Sequence, residues 1–119
     1  MATYSKQLLS GSTNGKNIKV ASTTAGSGTA IHTAVAGTSD LDEVWIYASS
    51  DTSSDVLLTI EWGETTDPDG RISTTIGSTG AGQTLVIAGL LLQNGLQITA
   101  YADTINKILI NGYVNRITA

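Results

Sequence analysis

Apolar and polar residues alternate along three stretches of this chain, residues 41–49, 56–62 and 96–102. A period of two places every second side chain on the same face of a β-strand, whereas a helix needs a period of about 3.6. Helical spacing is almost absent, and the abundance of Thr, Val, Ile and Gly also favours strands. Turn-forming residues recur every 8–12 residues or so, as they do in sandwiches and barrels. The pattern predicts an all-β, antiparallel β-sandwich, jelly-roll-like, with eight or nine strands.

The length of the chain limits the number of domains. Its 119 residues match one domain of the usual size, because two halves would each be too small to bury a good core. Loops and strands alternate evenly, without a change of composition that would mark a linker. We expect a single β-sandwich domain over residues 17–119, preceded by residues 1–16 as an N-terminal arm or a first strand.

The composition argues against several classes of function. The chain has no Cys and one His, so we expect no disulfide, no thiolate metal site and no cofactor. A net charge of −4 without a basic stripe argues against a nucleic-acid partner. The longest apolar stretch, residues 85–92, is much shorter than the roughly 20 residues of a membrane helix. We therefore expect no membrane partner and no secretion by the signal-peptide route.

The acidic residues are unevenly distributed. Nine of the ten lie between Asp40 and Asp69, a window without Lys or Arg. The candidate cation ligands among its loop aspartates are Asp67 and Asp69, with Asp51 or Asp55 as further candidates. Such carboxylates are ligands that Ca²⁺ accepts, but no complete calcium-loop motif surrounds them. An acidic edge that pairs with a basic partner is a further interpretation. We favour turn capping and solvation of a charge-poor surface, and we assign no metal ligands.

A catalytic constellation is missing from the residue pattern. His32 is the one available imidazole base, but no Gly-x-Ser-x-Gly motif accompanies it, and its alanine-rich strand favours a structural role. Glu61 and Glu64 are candidates for a glycosidase pair. However, Glu61 falls on a strand and Glu64 in the following loop, so their separation is not fixed by the sequence. We predict no catalytic residues and no enzyme activity.

The aromatic residues are candidates for an interface. Trp45 and Tyr47 share one face of a predicted strand, and Trp62 ends the next one. Exposed rings of this kind form a carbohydrate platform or a protein-binding hot spot. Because the chain has no Phe, Trp and Tyr must also do any aromatic packing, and we favour a place in the core or in a subunit interface.

Residues 84–92 are apolar on both faces of the predicted strand. Strict alternation gives one set of Leu85, Ile87 and Leu91, and a second set of Val86, Ala88, Leu90 and Leu92. One face of a strand in a small sandwich should meet water. The second apolar face therefore predicts a contact between subunits, with Val86, Leu90 and Leu92 as candidate interface residues. The expected assembly is a homo-oligomer, most simply a trimer closed around a threefold axis. Between this run and the next, Asn94-Gly95 predicts a hairpin.

Three segments carry a resemblance to a known family. They are LDEVWIYAS at residues 41–49, DVLLTIEWG at 55–63 and NGYVNRIT at 111–118. In pattern and composition the chain resembles, from residue 20 onward, small virion structural proteins of tailed bacteriophages, above all those of aquatic and cyanobacterial phages. Several of these are capsid decoration, or cement, proteins: small β-sandwiches that sit on the outer capsid, often as trimers.

The resemblance implies a structural function. A decoration protein would bind the major capsid protein on the outside of the assembled head, would stabilise the head, and would be made in the host cytoplasm. The resemblance assigns no function to individual residues. Two alternatives stay open at this point: a tail- or neck-associated virion sandwich, and a carbohydrate-binding module that uses Trp45, Tyr47 or Trp62.

Overall fold

The computed structural model describes residues 2–119, which form nine β-strands. These are β1 (Thr3–Leu8), β2 (Ile18–Lys19), β3 (Thr29–Thr33), β4 (Leu41–Ser50), β5 (Val56–Trp62), β6 (Arg71–Ile76), β7 (Thr84–Leu92), β8 (Gln97–Ala102) and β9 (Ile108–Thr118). The described residues contain no helix, so none of them provides a helical membrane span. The predicted all-β class and the predicted number of strands are confirmed.

The strands form two antiparallel sheets. In the five-stranded sheet, β7 pairs with β4, β4 pairs with β9, and the other edge of β9 carries both β1 and β2. The four-stranded sheet has the order β3-β8-β5-β6. Around the β5–β6 hairpin the pairs are nested, with β4 on β7, β3 on β8 and β2 on β9. Successive nested pairs alternate between the sheets, which is the topology of a jelly roll, as predicted.

Strand β1 lies at the edge of the five-stranded sheet. Its ladder on β9 runs from Thr3 opposite Thr118 to Leu8 opposite Tyr113, and all six of its side chains are exposed. Residues 1–16, predicted to be an arm or a first strand, thus contain an edge strand, while Met1 lies outside the described residues. The chain then turns inward at Leu9, which is fully buried in the core.

The core lies between the inner faces of the two sheets. Strand β4 alternates strictly, and its buried residues include Val44, Ile46 and Ala48. From the four-stranded sheet, side chains such as Leu58 and Ile60 of β5 meet them. The period of two that identified these strands in the sequence is therefore the period of core burial.

Strand β7 departs from the expected alternation. Its pairing with β4 skips Val86 and Gly89, so that each forms a β-bulge. Each bulge adds one residue and reverses the faces of the residues that follow. As a result Leu85, Ala88 and Leu91 share the outer face, whereas Ile87, Leu90 and Leu92 share the inner one. The expected split of this strand into two regular sets was wrong because it did not include the bulges.

The Asn94-Gly95 turn is not a hairpin. Asn94 and Gly95 have positive φ angles of 63° and 66°, as a tight turn of this sequence requires. However, β7 before the turn and β8 after it belong to different sheets. The N–H groups of Asn94 and Gly95 donate hydrogen bonds to the carbonyl oxygens of Gly37 and Val35, respectively. The turn therefore connects the two sheets and does not close a ladder between neighbouring strands.

A buried ionic cluster ties the two sheets together. Asp42 points inward from β4 and is fully buried. Its Oδ1 accepts a hydrogen bond from Arg116 Nε at 2.8 Å, and its Oδ2 accepts one from Arg116 Nη2 at 3.0 Å. Oδ2 also accepts from His32 Nε2 at 2.8 Å and from the Val35 N–H at 3.1 Å. Because His32 belongs to β3, and Asp42 and Arg116 to β4 and β9, the cluster links the sheets at one end of the sandwich.

Replacing Asp42 with Asn should lower the free energy of unfolding by about 3 kcal/mol. The new amide NH₂ would face N–H donors that now bind a carboxylate. The Arg116 side chain is 30% exposed, so water can solvate it in part, and the loss stays near the lower end of the range for broken buried pairs. Urea unfolding followed by circular dichroism measures the change. The control is Asp69→Asn in the exposed β5–β6 loop, where a change within about 0.5 kcal/mol is expected. Equal losses in both variants would contradict the special position of Asp42.

Acid should remove the contribution of Asp42. Burial raises the pKa of its carboxyl, but the hydrogen bonds from Arg116 and His32 and the charge of Arg116 lower it by more, so the pKa lies below its ordinary value of 3.8. A carboxyl with a depressed pKa stabilises the fold above its unfolded pKa, and this stabilisation is lost as the pH falls through the folded pKa. Asp42→Asn should therefore lose less unfolding free energy than the wild type between neutral and strongly acidic pH. Urea titrations across this pH range test the difference, and parallel pH profiles would contradict it.

Candidate interaction surface

His32 has no nitrogen free for catalysis. Its Nδ1 accepts the backbone N–H of Ser10 at 2.9 Å, and its Nε2 is bonded to Asp42. The Ser10 hydroxyl accepts the N–H of Thr33 at 2.7 Å and is not bonded to the imidazole. Although Ser, His and Asp lie close together here, the arrangement is a closed structural network in which no hydroxyl is bonded to the imidazole as a nucleophile requires.

Glu61 and Glu64 do not share an open site. Glu61 is buried, and its carboxylate accepts hydrogen bonds from the Gly26 N–H at 3.0 Å and from the Thr99 hydroxyl at 2.7 Å. Glu64 is exposed and lines a shallow cleft of about 420 Å³ together with Thr65, Thr66 and Gln97, among others. One carboxylate thus holds the β2–β3 loop in place while the other faces solvent, which is not the arrangement of a glycosidase pair.

The loop aspartates of the acidic window lie apart. Asp51 and Asp55 precede β5, whereas Asp67 and Asp69 follow it, so the two pairs sit at opposite ends of this strand. Asp55 accepts the N–H of Ser78 at 3.1 Å, and Asp67 forms an ion pair with Arg71 at 3.3 Å. Among residues 2–119, no three His, Asp or Glu side chains converge as metal ligands would.

The two outer faces of the sandwich differ in polarity. On the four-stranded sheet, most of the central outward side chains are polar, with Leu57 as the exposed exception, and the hydroxyls of Thr59 and Ser73 hydrogen-bond across strands at 3.0 Å. On the five-stranded sheet, the outward sides of the two edge strands β1 and β7 hold four of the eight large exposed hydrophobic residues of the described chain. These four are Tyr4, Leu8, Leu85 and Leu91. A free sheet face normally meets water with polar side chains, so this face is the exceptional one.

The strand register adds aromatic and aliphatic side chains between those two edges. Residues paired across strands point to the same side, and on β4 and β9 the residues that alternate with them in sequence point into the core. We call this surface the apolar face. Its residues are Tyr4, Leu8, Leu41, Trp45, Tyr47, Leu85, Leu91, Tyr113 and Ile117. A contiguous apolar surface of this kind marks a contact site for another molecule.

Two stacked rings form the centre of the apolar face. Trp45 on β4 lies opposite Tyr113 on β9, with ring centroids 6.2 Å apart and planes inclined by 14°. The ammonium of Lys6 on β1 lies 5.0 Å from the Tyr113 centroid, within the range of a cation–π contact. On the other side, the bulge at Gly89 makes room for the Trp45 ring. The two rings on β4 and β9 thus lie close to residues of both flanking strands, Lys6 on β1 and Gly89 on β7.

Polar groups within the apolar face satisfy one another. One carboxylate oxygen of Glu43, Oε1, accepts hydrogen bonds from Trp45 Nε1 and from Asn115 Nδ2, both at 2.9 Å. These two donors lower the pKa of Glu43, because they stabilise its charged form. The indole and the amide therefore need no further partner, and one carboxylate charge remains on the face.

The six candidate interface residues from the sequence occupy different environments. Trp45 and Tyr47 lie on the apolar face, half-buried. Trp62 and Val86 pack against the core, and Leu92 belongs to it. Leu90 is 45% exposed on the inner side of an edge strand.

Sequence reasoning missed Tyr113 and the β1 residues of the apolar face. Tyr113 neighbours the buried Val114 in β9, so alternation past Gly112 would have placed it outward with Trp45. For Tyr4 and Leu8 no comparable signal exists, because β1 has no buried residue that would define its faces.

Fold and surface together define a small jelly-roll β-sandwich with one apolar outer face. Comparison with protein-family models, with curated proteins and with solved structures finds no match.

Replacing Gly89 with Ala should disturb the apolar face. Gly89 has a φ of 77°, and a Cβ there would lie 3.0 Å from Cζ2 of Trp45. The control is Gly80→Ala, because Gly80 has a φ of 96° but nothing within 4 Å of its Cβ position. Both variants should lose about 1–2 kcal/mol through backbone strain, but only Gly89→Ala should also displace the indole. Thermal melts and tryptophan fluorescence test this, and identical emission spectra of the two variants would contradict it.

Proposed function

We propose that this chain is a capsid decoration protein of a tailed bacteriophage. It binds the major capsid protein on the outer surface of the assembled head and stabilises the head without catalysing a reaction. A homo-oligomeric form of the protein is part of the proposal. The tail or neck of the virion is the main alternative location.

The apolar face is the observation that carries the proposal. It is a broad protein-binding type of surface on a molecule whose buried titratable groups, His32, Asp42 and Glu61, are all occupied by structural hydrogen bonds. A chain built in this way is suited to contact and not to chemistry. The resemblance of residues 41–49, 55–63 and 111–118 to virion proteins of tailed phages supports the same function.

The jelly-roll fold is compatible with the proposal but does not select it. This fold occurs in viral capsid proteins and also in lectins, and a fold by itself does not specify a function. A lectin would use the half-buried rings of Trp45 and Tyr113 as a sugar platform. These rings stack on each other, and leucines surround them, which favours contact with protein.

The proposed mechanism is a passive bridge. A specific interface needs roughly 1,200–2,000 Å² in total, and a small sandwich reaches this most easily by contacting several capsid subunits at once. Such a composite site exists only in the assembled shell. The loops at the ends of the sandwich, rich in Gly and Ser, are suited to this contact because they can order on binding without disturbing the sheets.

Binding should depend on the state of the capsid. We expect the purified protein to co-sediment with expanded heads of its phage, and to bind immature shells and free capsid subunits at least about tenfold more weakly, because only expanded heads hold the composite site. Quantitative co-sedimentation with the three partners measures this, and tail preparations from the same phage serve as the control.

Three outcomes would contradict the proposal. Equal binding to all three capsid forms would exclude a composite site. Density for the protein in the tail alone, in a cryo-EM map of the virion, would support the tail or neck alternative. Strong binding on a glycan array without head binding would support the lectin.

A further inference from the structure

We propose that the apolar face is the contact surface of a two-fold dimer of this chain, with the symmetry axis running along β9. The inference rests on the proposed function only in taking the face to bind protein. It names the occupant, a second copy, and leaves contact with the capsid to the loops at the ends of the sandwich.

The charged residues of the apolar face are complementary to those of a second copy of it. We call residues that lie side by side on paired strands a row. In the rows of the apolar face, Lys6 on β1 and Glu43 on β4 are the two charged residues, and both pair with Asn115 of β9, which lies between them. A two-fold rotation about an axis along β9, in the plane of contact, exchanges the two sides of that strand. It therefore places Lys6 of each copy opposite Glu43 of the other. The Glu43 oxygen Oε2 makes no hydrogen bond within the described chain and remains available for this contact.

The apolar rows match under the same rotation. Leu8 and Trp45 flank Tyr113 of β9 in the next row, so Leu8 of one copy meets Trp45 of the other and the two Tyr113 rings meet at the axis. Tyr4 and Leu41 flank Ile117 in the same way.

Strand β7 has no counterpart on the far side of β1. Its outward leucines, Leu85 and Leu91, therefore extend over the exposed β1 edge of the second copy. The most exposed apolar residues of the sheet are covered together.

The size of the face suits a weak, specific dimer. Three facing strands about 4.8 Å apart and about seven residues at about 3.4 Å each give an overlap of about 14 by 24 Å. Two copies would cover roughly 700 Å² over these strands, and the contact of the β7 leucines with the β1 edge adds to this area, toward the approximate 1,000 Å² expected of a biological interface. Each whole chain carries a charge of −4, which opposes association elsewhere, whereas the apolar face is balanced in charge.

This symmetry differs from the trimer expected from the sequence. That expectation used Val86, Leu90 and Leu92 as a second apolar face of β7, but two of these residues now pack in or against the core. The surface that remains is self-complementary about a two-fold axis, and such an interface closes as a dimer.

The first test is the oligomeric state of the full chain. Sedimentation equilibrium over a range of concentrations should give a reversible dimer of the 12.3 kDa chain. Leu8→Lys should weaken dimerisation at least about tenfold, because it places an ammonium without a carboxylate partner in the buried contact with Trp45 of the other copy. Leu57→Lys is the matched control, since Leu57 is similarly exposed, at 45% against 53% for Leu8, but lies on the other sheet. It should leave the dimer unchanged.

The second test reverses the charges. Lys6→Glu alone should weaken the dimer at least about tenfold, because it sets two carboxylates together twice per dimer. Adding Glu43→Lys should restore dimerisation. Lys6→Glu alters one exposed side chain, so its circular dichroism spectrum should match that of the wild type. The single variant therefore tests the interface even if the double variant folds poorly.

A monomer at millimolar concentration, a trimer, or a dimer insensitive to both Leu8→Lys and Lys6→Glu would overturn the inference. Its failure is distinguishable from failure of the proposed function. A monomer that still binds expanded heads, and loses this binding with Leu8→Lys, would assign the face to the capsid. A dimer sensitive to these variants but unable to bind heads would overturn the decoration function and keep the interface.

Discussion

The ion pair of Asp42 with Arg116 is the interaction on which the rest of the structure depends. A carboxylate at an inward position of β4 is tolerated only when its charge is paired and hydrogen-bonded. Arg116 provides this on β9 and His32 on β3. The pair also fixes the register of β9 on β4, and a slip by one residue would turn every side chain to the opposite face. The inner cluster thereby determines that Trp45 meets Tyr113 on the outside.

Much of the fold follows from local patterns in the sequence. Strands β4 and β5 are predicted well because each has a buried and an exposed face, and this contrast is what a period of two detects. The bulges at Val86 and Gly89 are not detected by that period, since they add residues without changing composition. The turn at Asn94-Gly95 has the backbone shape that its sequence predicts, but a turn does not specify which strands its neighbours join. That choice depends on pairings between distant residues.

The candidate site was predictable only in part. Alternation in β4 places Trp45 and Tyr47 together, and the structure keeps them together. The same alternation puts Asp42 among the inward residues Val44 and Ile46, a signal that a cation and a hydrogen-bond donor lie nearby in the core. No local pattern indicates that β1, β9, β4 and β7 form one surface, because pairings that span most of the chain bring those strands side by side.

The nested pairing also bears on how the chain folds during synthesis. Strand β9 is made after the eight others, yet it lies inside the five-stranded sheet and pairs with β1, β2 and β4. Until β9 emerges from the ribosome, β4 has only β7 as a partner, and β1 and β2 have none in their sheet. Long loops must close before these contacts form, which slows folding. The leucine-rich strand β7 and the edge of β4 are then exposed together in the nascent chain, which makes them a site for chaperone binding until β9 has emerged.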